Sequence, residues 1–281
     1  MKKKSLNFLI YALAVVLLFQ AVSICVLIVK NAKLKRDIAR KHAVNAALHK
    51  KPAAVVLPVA KGGCKLSIVL DDWGYNKKNI SALLELKQPI TVAILPNLPF
   101  SKSIAVDAHK NNVEVILHLP LEAHDVSKMP EKGVINTGMS SEEALKRLQS
   151  ALDSIPYLKG VSNHMGSKAT EDEKLMKLLF IQFKKKNLYF LDSMVTNNSV
   201  CRKAADDTGI RFAERSVFLD NENTAEYIRG QLEQAIAIAK EKKVAVVIGH
   251  DRPLTLKAIK NMLPEFQREG VKLIYLSEAV K

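Results

Sequence analysis

Two adjacent carboxylates, Asp71 and Asp72, end the apolar run Lys65-Leu-Ser-Ile-Val-Leu70, and four later runs of the same kind end in comparable chemistry. Glu114-Val-Ile-Leu leads to His118, Gly160-Val-Ser to Asn163-His164-Met-Gly-Ser167, Leu188-Tyr-Phe-Leu to Asp192-Ser193, and Val244-Ala-Val-Val-Ile-Gly to His250-Asp251. Carboxylates and neutral imidazoles are the donors of an open catalytic site of the zinc type, where three protein groups hold the ion and another position is left for water. The same residue types serve as general acid and base. A single histidine after a strand is ordinarily a structural residue, and Asp72 alone reads also as the cap of a helix starting near Asn76. Recurrence of His or Asp at the same place in successive units outweighs those readings. Because neighbouring strand residues point to opposite faces, Asp71 and Asp72 are expected to diverge and to take different roles. His42 and His49 lie in a basic stretch and His109 in a helical one, outside the pattern, while His124, on a loop after His118, is a weaker alternative donor.

For these side chains to meet, the runs that carry them must be parallel strands whose C-terminal ends share one rim. The run ending at Asp71 is apolar on both faces, as a strand buried in a parallel sheet is. Strands are expected at 65–70, 91–95, 114–117, 160–162, 188–191, 210–213, 244–248 and 272–276. Helices are expected at 80–86, 102–111, 142–154, 171–185, 200–207, 225–242 and 254–269, the third opening at Ser140 with Glu142 and Glu143 close behind, near a capping box. This alternation implies an α/β fold, a distorted (β/α) barrel of seven to eight parallel strands, with an open doubly wound sheet as the alternative.

Composition bounds the rest. The net charge of +15 is uneven: residues 1–61 hold twelve Lys and Arg against the single acid Asp37, so the remainder is nearly balanced. No basic stripe interleaved with aromatics is present, which argues against nucleic acid as a partner. Residues 6–29 carry no charge, enough to cross a bilayer core that needs about 20 apolar residues. Length favours an uncleaved transmembrane signal anchor over a cleaved peptide, whose apolar core runs to about 7–15 residues. Lys2, Lys3 and Lys4 argue for a cytoplasmic N-terminus, but the basic residues from Lys30 to Lys41 argue the reverse, so charge alone leaves the orientation open. The expected organisation is a membrane anchor (1–30), a basic stalk and linker (31–63) and a catalytic domain (64–281). Three cysteines, Cys25, Cys64 and Cys201, lack paired spacing and predict no disulfide framework.

The set Ser67-Ile-Val-Leu-Asp-Asp-Trp-Gly-Tyr75, Ala93-Ile-Leu-Pro-Asn97, His118-Leu-Pro-Leu-Glu122, Asn163-His-Met-Gly-Ser167, Tyr189-Phe-Leu-Asp-Ser193 and Val247-Ile-Gly-His250 resembles the divergent polysaccharide deacetylase family, a bacterial branch of the polysaccharide deacetylase superfamily of carbohydrate esterases. The resemblance runs from about Lys65 to the C-terminus. It implies one divalent metal, usually zinc, a single-pass protein of the inner or cytoplasmic membrane with its domain on the extracytoplasmic side, and a peptidoglycan-like envelope polysaccharide as substrate. The implied reaction is removal of N-acetyl or O-acetyl groups. By the same resemblance Asp71 is the general base, Asp72 a metal ligand and His250 the general acid. The superfamily motif H-x-x-x-H here ends in Glu122 instead of histidine. The ligand set is then Asp72, His118 and a third group, His164 in preference to Glu122, His124 or Asp192. Asp192 is otherwise a partner for a catalytic imidazole. Trp73, Glu122, Asn163 and Ser193 are candidate substrate contacts, Asn163 and Ser193 reading equally as turn residues and Trp73 as packing. A barrel that binds envelope glycan or a protein partner without turnover is the alternative of a different class. A metal phosphoesterase is disfavoured by the lack of a Gly-rich phosphate loop.

Overall fold

The structure, a computed structural model, describes Lys30, residues 63–125, Ser127 and residues 133–281. Apart from Lys30, the expected membrane segment, the stalk and nearly all of the linker, with Cys25, His42 and His49, lie outside the described residues. Among the described residues no helix is long and apolar enough to cross a membrane.

Strands and helices alternate along the chain: β1 (Cys64–Trp73), α1 (Ile80–Glu85), β2 (Ile90–Ile94), α2 (Ser101–Lys110), β3 (Glu114–Leu121), α3 (Ser141–Asp153), β4 (Leu158–Met165), α4 (Glu173–Lys185), β5 (Tyr189–Asp192) and α5 (Cys201–Thr208). After two short strands, β6 (Phe212–Glu214) and β7 (Val217–Phe218), come α6 (Ala225–Lys242), β8 (Val244–His250), α7 (Pro253–Arg268) and β9 (Val271–Ile274). α3 begins as expected, with Ser140 Oγ accepting from the Glu143 backbone N–H at 3.2 Å.

Every strand pairing is parallel, in the order β6-β5-β4-β3-β2-β1-β8-β7, with β9 beside the start of β1. The two ends of this path are consecutive in sequence. One extended stretch pairs with β5 through Phe212–Glu214 and the Arg215 N–H, and then with β8 through Ser216 to Leu219. The sheet therefore curls into a distorted barrel, and the open doubly wound alternative is set aside.

Period-2 alternation sorts the strand residues into two layers even though both are apolar. Leu66, Ile68, Leu70, Val92, Val115, Leu117 and Val247 join the helices in the outer core. Val69, Ala93, Ile116, Leu191, Val246 and Ile248 form a separate inner cluster with Tyr189 and the C-terminal Leu276. Small and branched side chains fill this interior, as a narrow barrel requires. Its floor is polar: Glu114 Oε1 accepts from Thr91 Oγ1, the Tyr189 hydroxyl and the Ser277 N–H at 2.7–3.0 Å. The final residue pairs with Phe212, so the C-terminal segment closes this end.

Candidate metal centre

The mouth is built by continuing the inner parity upward. Two residues beyond Val69, Ile116 and Ile248 of the inner cluster come Asp71, His118 and His250. Ser162 is in register with His118, and two residues beyond it is His164. Asp72 has the opposite parity and would face outward in a regular strand. A β-bulge prevents this: between the pairs Leu70↔Val92 and Trp73↔Ile94, β1 has one residue more than β2, and Asp72 takes a φ of 66°. Asp tolerates this left-handed region better than most residues. The expected divergence of the two carboxylates is therefore corrected, because the bulge turns both toward His118.

His118 Nε2 lies 3.4 Å from Asp72 Oδ1 and 3.5 Å from Asp71 Oδ2, and His164 Nδ1 lies 3.2 Å from the same Asp72 Oδ1. One donor atom from each of Asp72, His118 and His164 fits within a 4.8 Å span. An ion held tetrahedrally at about 2.0–2.1 Å separates its ligand atoms by roughly 3.3 Å, so the cluster fits a divalent cation. Asp72 Oδ1 is moreover buried without a hydrogen-bond partner. The second nitrogen of His118 lies 2.8 Å from Ser162 Oγ; with the proton on Nδ1 it donates to that hydroxyl and leaves Nε2 bare for a metal.

Two further groups complete the rim. Burial raises the Asp71 carboxyl above its ordinary pKa, only partly offset by His118 and His250. For Asp72 burial acts in the same direction, but the imidazoles of His118 and His164 beside it prevail and hold it far below the carboxylate range. His250 is in register with Asp71 across β1 and β8. Its Nδ1 is 2.7 Å from Asp220 Oδ1, while its backbone N–H donates to Asp220 Oδ2 at 2.9 Å. Thr255 Oγ1 also donates to Oδ2, at 2.6 Å. Burial would lower the His250 pKa, yet the Asp220 carboxylate, reinforced by Asp71 and Asp72, raises it.

Other expected site residues are placed elsewhere. Asp192 has outward parity, next to inward Leu191, and binds the Ser199 hydroxyl and the Met194 N–H. The imidazole-holding role belongs to Asp220, which sequence reasoning missed. Phe218-Leu-Asp220 repeats the pattern Phe190-Leu-Asp192, but the two-residue β7 before it is too short to read as a strand. Asn163 and Ser193 bind each other, Ser193 N–H to Asn163 Oδ1 at 2.8 Å and Ser193 Oγ to the Asn163 carbonyl at 3.0 Å. They tie β4 to β5 as turn residues. Trp73 is completely buried in the outer core, where its ring packs and cannot stack on a sugar. Glu122 binds Thr137 and Lys168, and His124 binds Glu171 at 3.0 Å. The broken H-x-x-x-H motif has a simple cause: β3 stays extended through Leu121, so at about 3.3 Å per residue position 122 lies roughly 13 Å from His118.

Residues 68–280 match the family described as divergent polysaccharide deacetylase. Uncharacterized protein YibQ of Escherichia coli is 37% identical over 211 residues, covering 75% of this chain and 65% of that protein, so the match spans just under two thirds of that relative. An uncharacterized protein of Haemophilus influenzae is 33% identical over 220 residues, covering 77% of this chain and 78% of its own length. The fold is similar to the crystal structure of an uncharacterized protein from Agrobacterium tumefaciens, with a TM-score of 0.74 at 20% identity over 79% of this chain and 91% of the other.

Proposed function

The chain belongs to the divergent polysaccharide deacetylase family, and on that footing we propose that it is a membrane-anchored, zinc-dependent hydrolase that removes acetyl groups from N-acetylated or O-acetylated envelope polysaccharide of the peptidoglycan kind. The observation that carries this reading is the convergence of Asp72, His118 and His164 on one point, with Asp71 and the His250–Asp220 pair on the same rim. A divalent ion held by the three would polarise an acyl oxygen and bring the pKa of water toward about 7. Asp71, made more basic by burial, accepts the proton of the attacking water. His250, kept protonated by Asp220, donates one to the departing amine. The uncharged segment at 6–29 supports anchoring, and an envelope substrate would be met on the outer side of the inner or cytoplasmic membrane.

Salt-washed membranes from cells making the full chain, supplied with zinc and acetylated peptidoglycan, test this reading. They should release acetate, and a chelator should abolish it. Asp71→Asn should lower the rate by about a hundred- to ten-thousand-fold while the variant stays in the pellet with its metal. Equal activity of wild type and Asp71→Asn would refute base catalysis. A metal-loaded wild type that binds glycan but releases no acetate would favour the binding-only barrel, and protein found only in the soluble fraction would refute the anchor.

A further inference from the structure

Glu122 stands four residues past His118, out of reach of any ion that His118 holds, yet it is among the most heavily bonded side chains of the rim. Its Oε2 accepts from both the N–H and the hydroxyl of Thr137 at 2.7 Å, and its Oε1 accepts from Lys168 Nζ at 2.8 Å. Its backbone is equally engaged. The Glu122 N–H donates to the Ile135 carbonyl, and the Glu122 carbonyl accepts from the Lys168 and Ala169 N–H groups at 3.1 and 3.0 Å. Three segments thus meet at one residue: the end of β3, the stretch at 135–137, which is bridged to Leu121 at Ile135, and the loop that leaves β4.

That loop carries His164 at its root. Directly after it, Met165 and Gly166 both take positive φ, 54° and 90°, so the chain reverses sharply beside the imidazole. A left-handed methionine is strained and persists only where the surroundings over-determine it. Asn163 Nδ2 bonds the Met165 carbonyl from inside the loop, and the Glu122–Lys168 clasp pins its far side.

We infer that Glu122 is the positioning residue for His164: it clamps the loop after β4 so that the imidazole meets Asp72 and His118. The position that would supply a ligand on a shorter strand here secures the ligand that replaces it. This inference rests on the metal-centre reading above.

Titration of the purified, metal-stripped full chain with zinc against a chromophoric chelator tests it, with cobalt absorption as a report of the ligand set. Glu122→Ala should weaken zinc binding by about tenfold or more, within the range for groups that orient a metal ligand. The cobalt spectrum at saturation should stay that of the wild type. Glu122→Gln, which keeps an acceptor for Thr137, and Lys168→Ala should each lose less, which preserves the test if the alanine variant does not fold. In a His164→Ala background Glu122→Ala should change nothing further. Unchanged affinity in all three single variants would overturn the inference, as would a changed cobalt spectrum or a loss that adds fully to that of His164→Ala. A wild type that binds no zinc would instead overturn the metal centre itself.

Discussion

In the proposed reaction His250 acts only while it carries a proton to give, so the charge of Asp220 would govern the alkaline side of an activity profile. Burial lowers the imidazole pKa, and the carboxylate 2.7 Å away raises it above the ordinary value. A general acid loses activity as pH rises through its pKa. Asp220→Asn removes the charge, lowers that pKa, and should move the alkaline limb of acetate release to lower pH; a limb that stays in place would remove Asp220 from this role. Stability follows the same pair. The depressed carboxyl of Asp220 contributes above about pH 3.9 and is lost as pH falls through its folded value, whereas His250 contributes below about pH 6.5 and is lost as pH rises through its own. The melting-temperature gap between wild type and Asp220→Asn should therefore be widest between those limits. At this scale Asp71, His118, His164 and His250 were readable, because each ends an obvious apolar run. Asp192 was misread for want of parity: the residue after inward Leu191 must face outward. Asp220 was missed because its strand has two residues.

The β1 bulge is the element on which the centre turns. It costs backbone strain at Asp72 and leaves a buried carboxylate oxygen without a hydrogen-bond partner, and in exchange both carboxylates reach His118. Asp72→Gly keeps the positive φ accessible but removes the carboxylate that faces His118 and His164, so it should abolish zinc binding in a chelator titration. A variant that still binds the ion would contradict this role for the bulge. No feature of the sequence announces the bulge, since Asp is only mildly favoured at positive φ. The length of β3 was equally hidden. Extension through Pro120 and Leu121 breaks the H-x-x-x-H geometry, but proline in a strand ordinarily reads as an end.

The barrel as a whole was legible because βα alternation survives boundary errors of a few residues, and parallel strands announce themselves as apolar on both faces. Closure was not, since it depends on one stretch, 212–219, changing neighbours midway. The barrel depends on close packing below the mouth, where a Cβ added at Gly160 would sit 2.2 Å from the ring of buried Tyr189. Gly160→Ala should destabilise the protein by about 1–3 kcal/mol in denaturant unfolding, and an unchanged midpoint would contradict that packing. Charge sorts along the chain in the same way: the barrel is near neutral and the N-terminal region basic, which on the proposed reading suits a glycan for one and anionic lipid for the other. Everything proposed for the mouth depends on three strands delivering one ion's ligands. Metal content per chain, measured on zinc-loaded and dialysed full-length wild type and His164→Ala, tests this most directly. About one ion per chain in the wild type and near none in the variant is the expected result. A His164→Ala protein that keeps its ion would contradict the account.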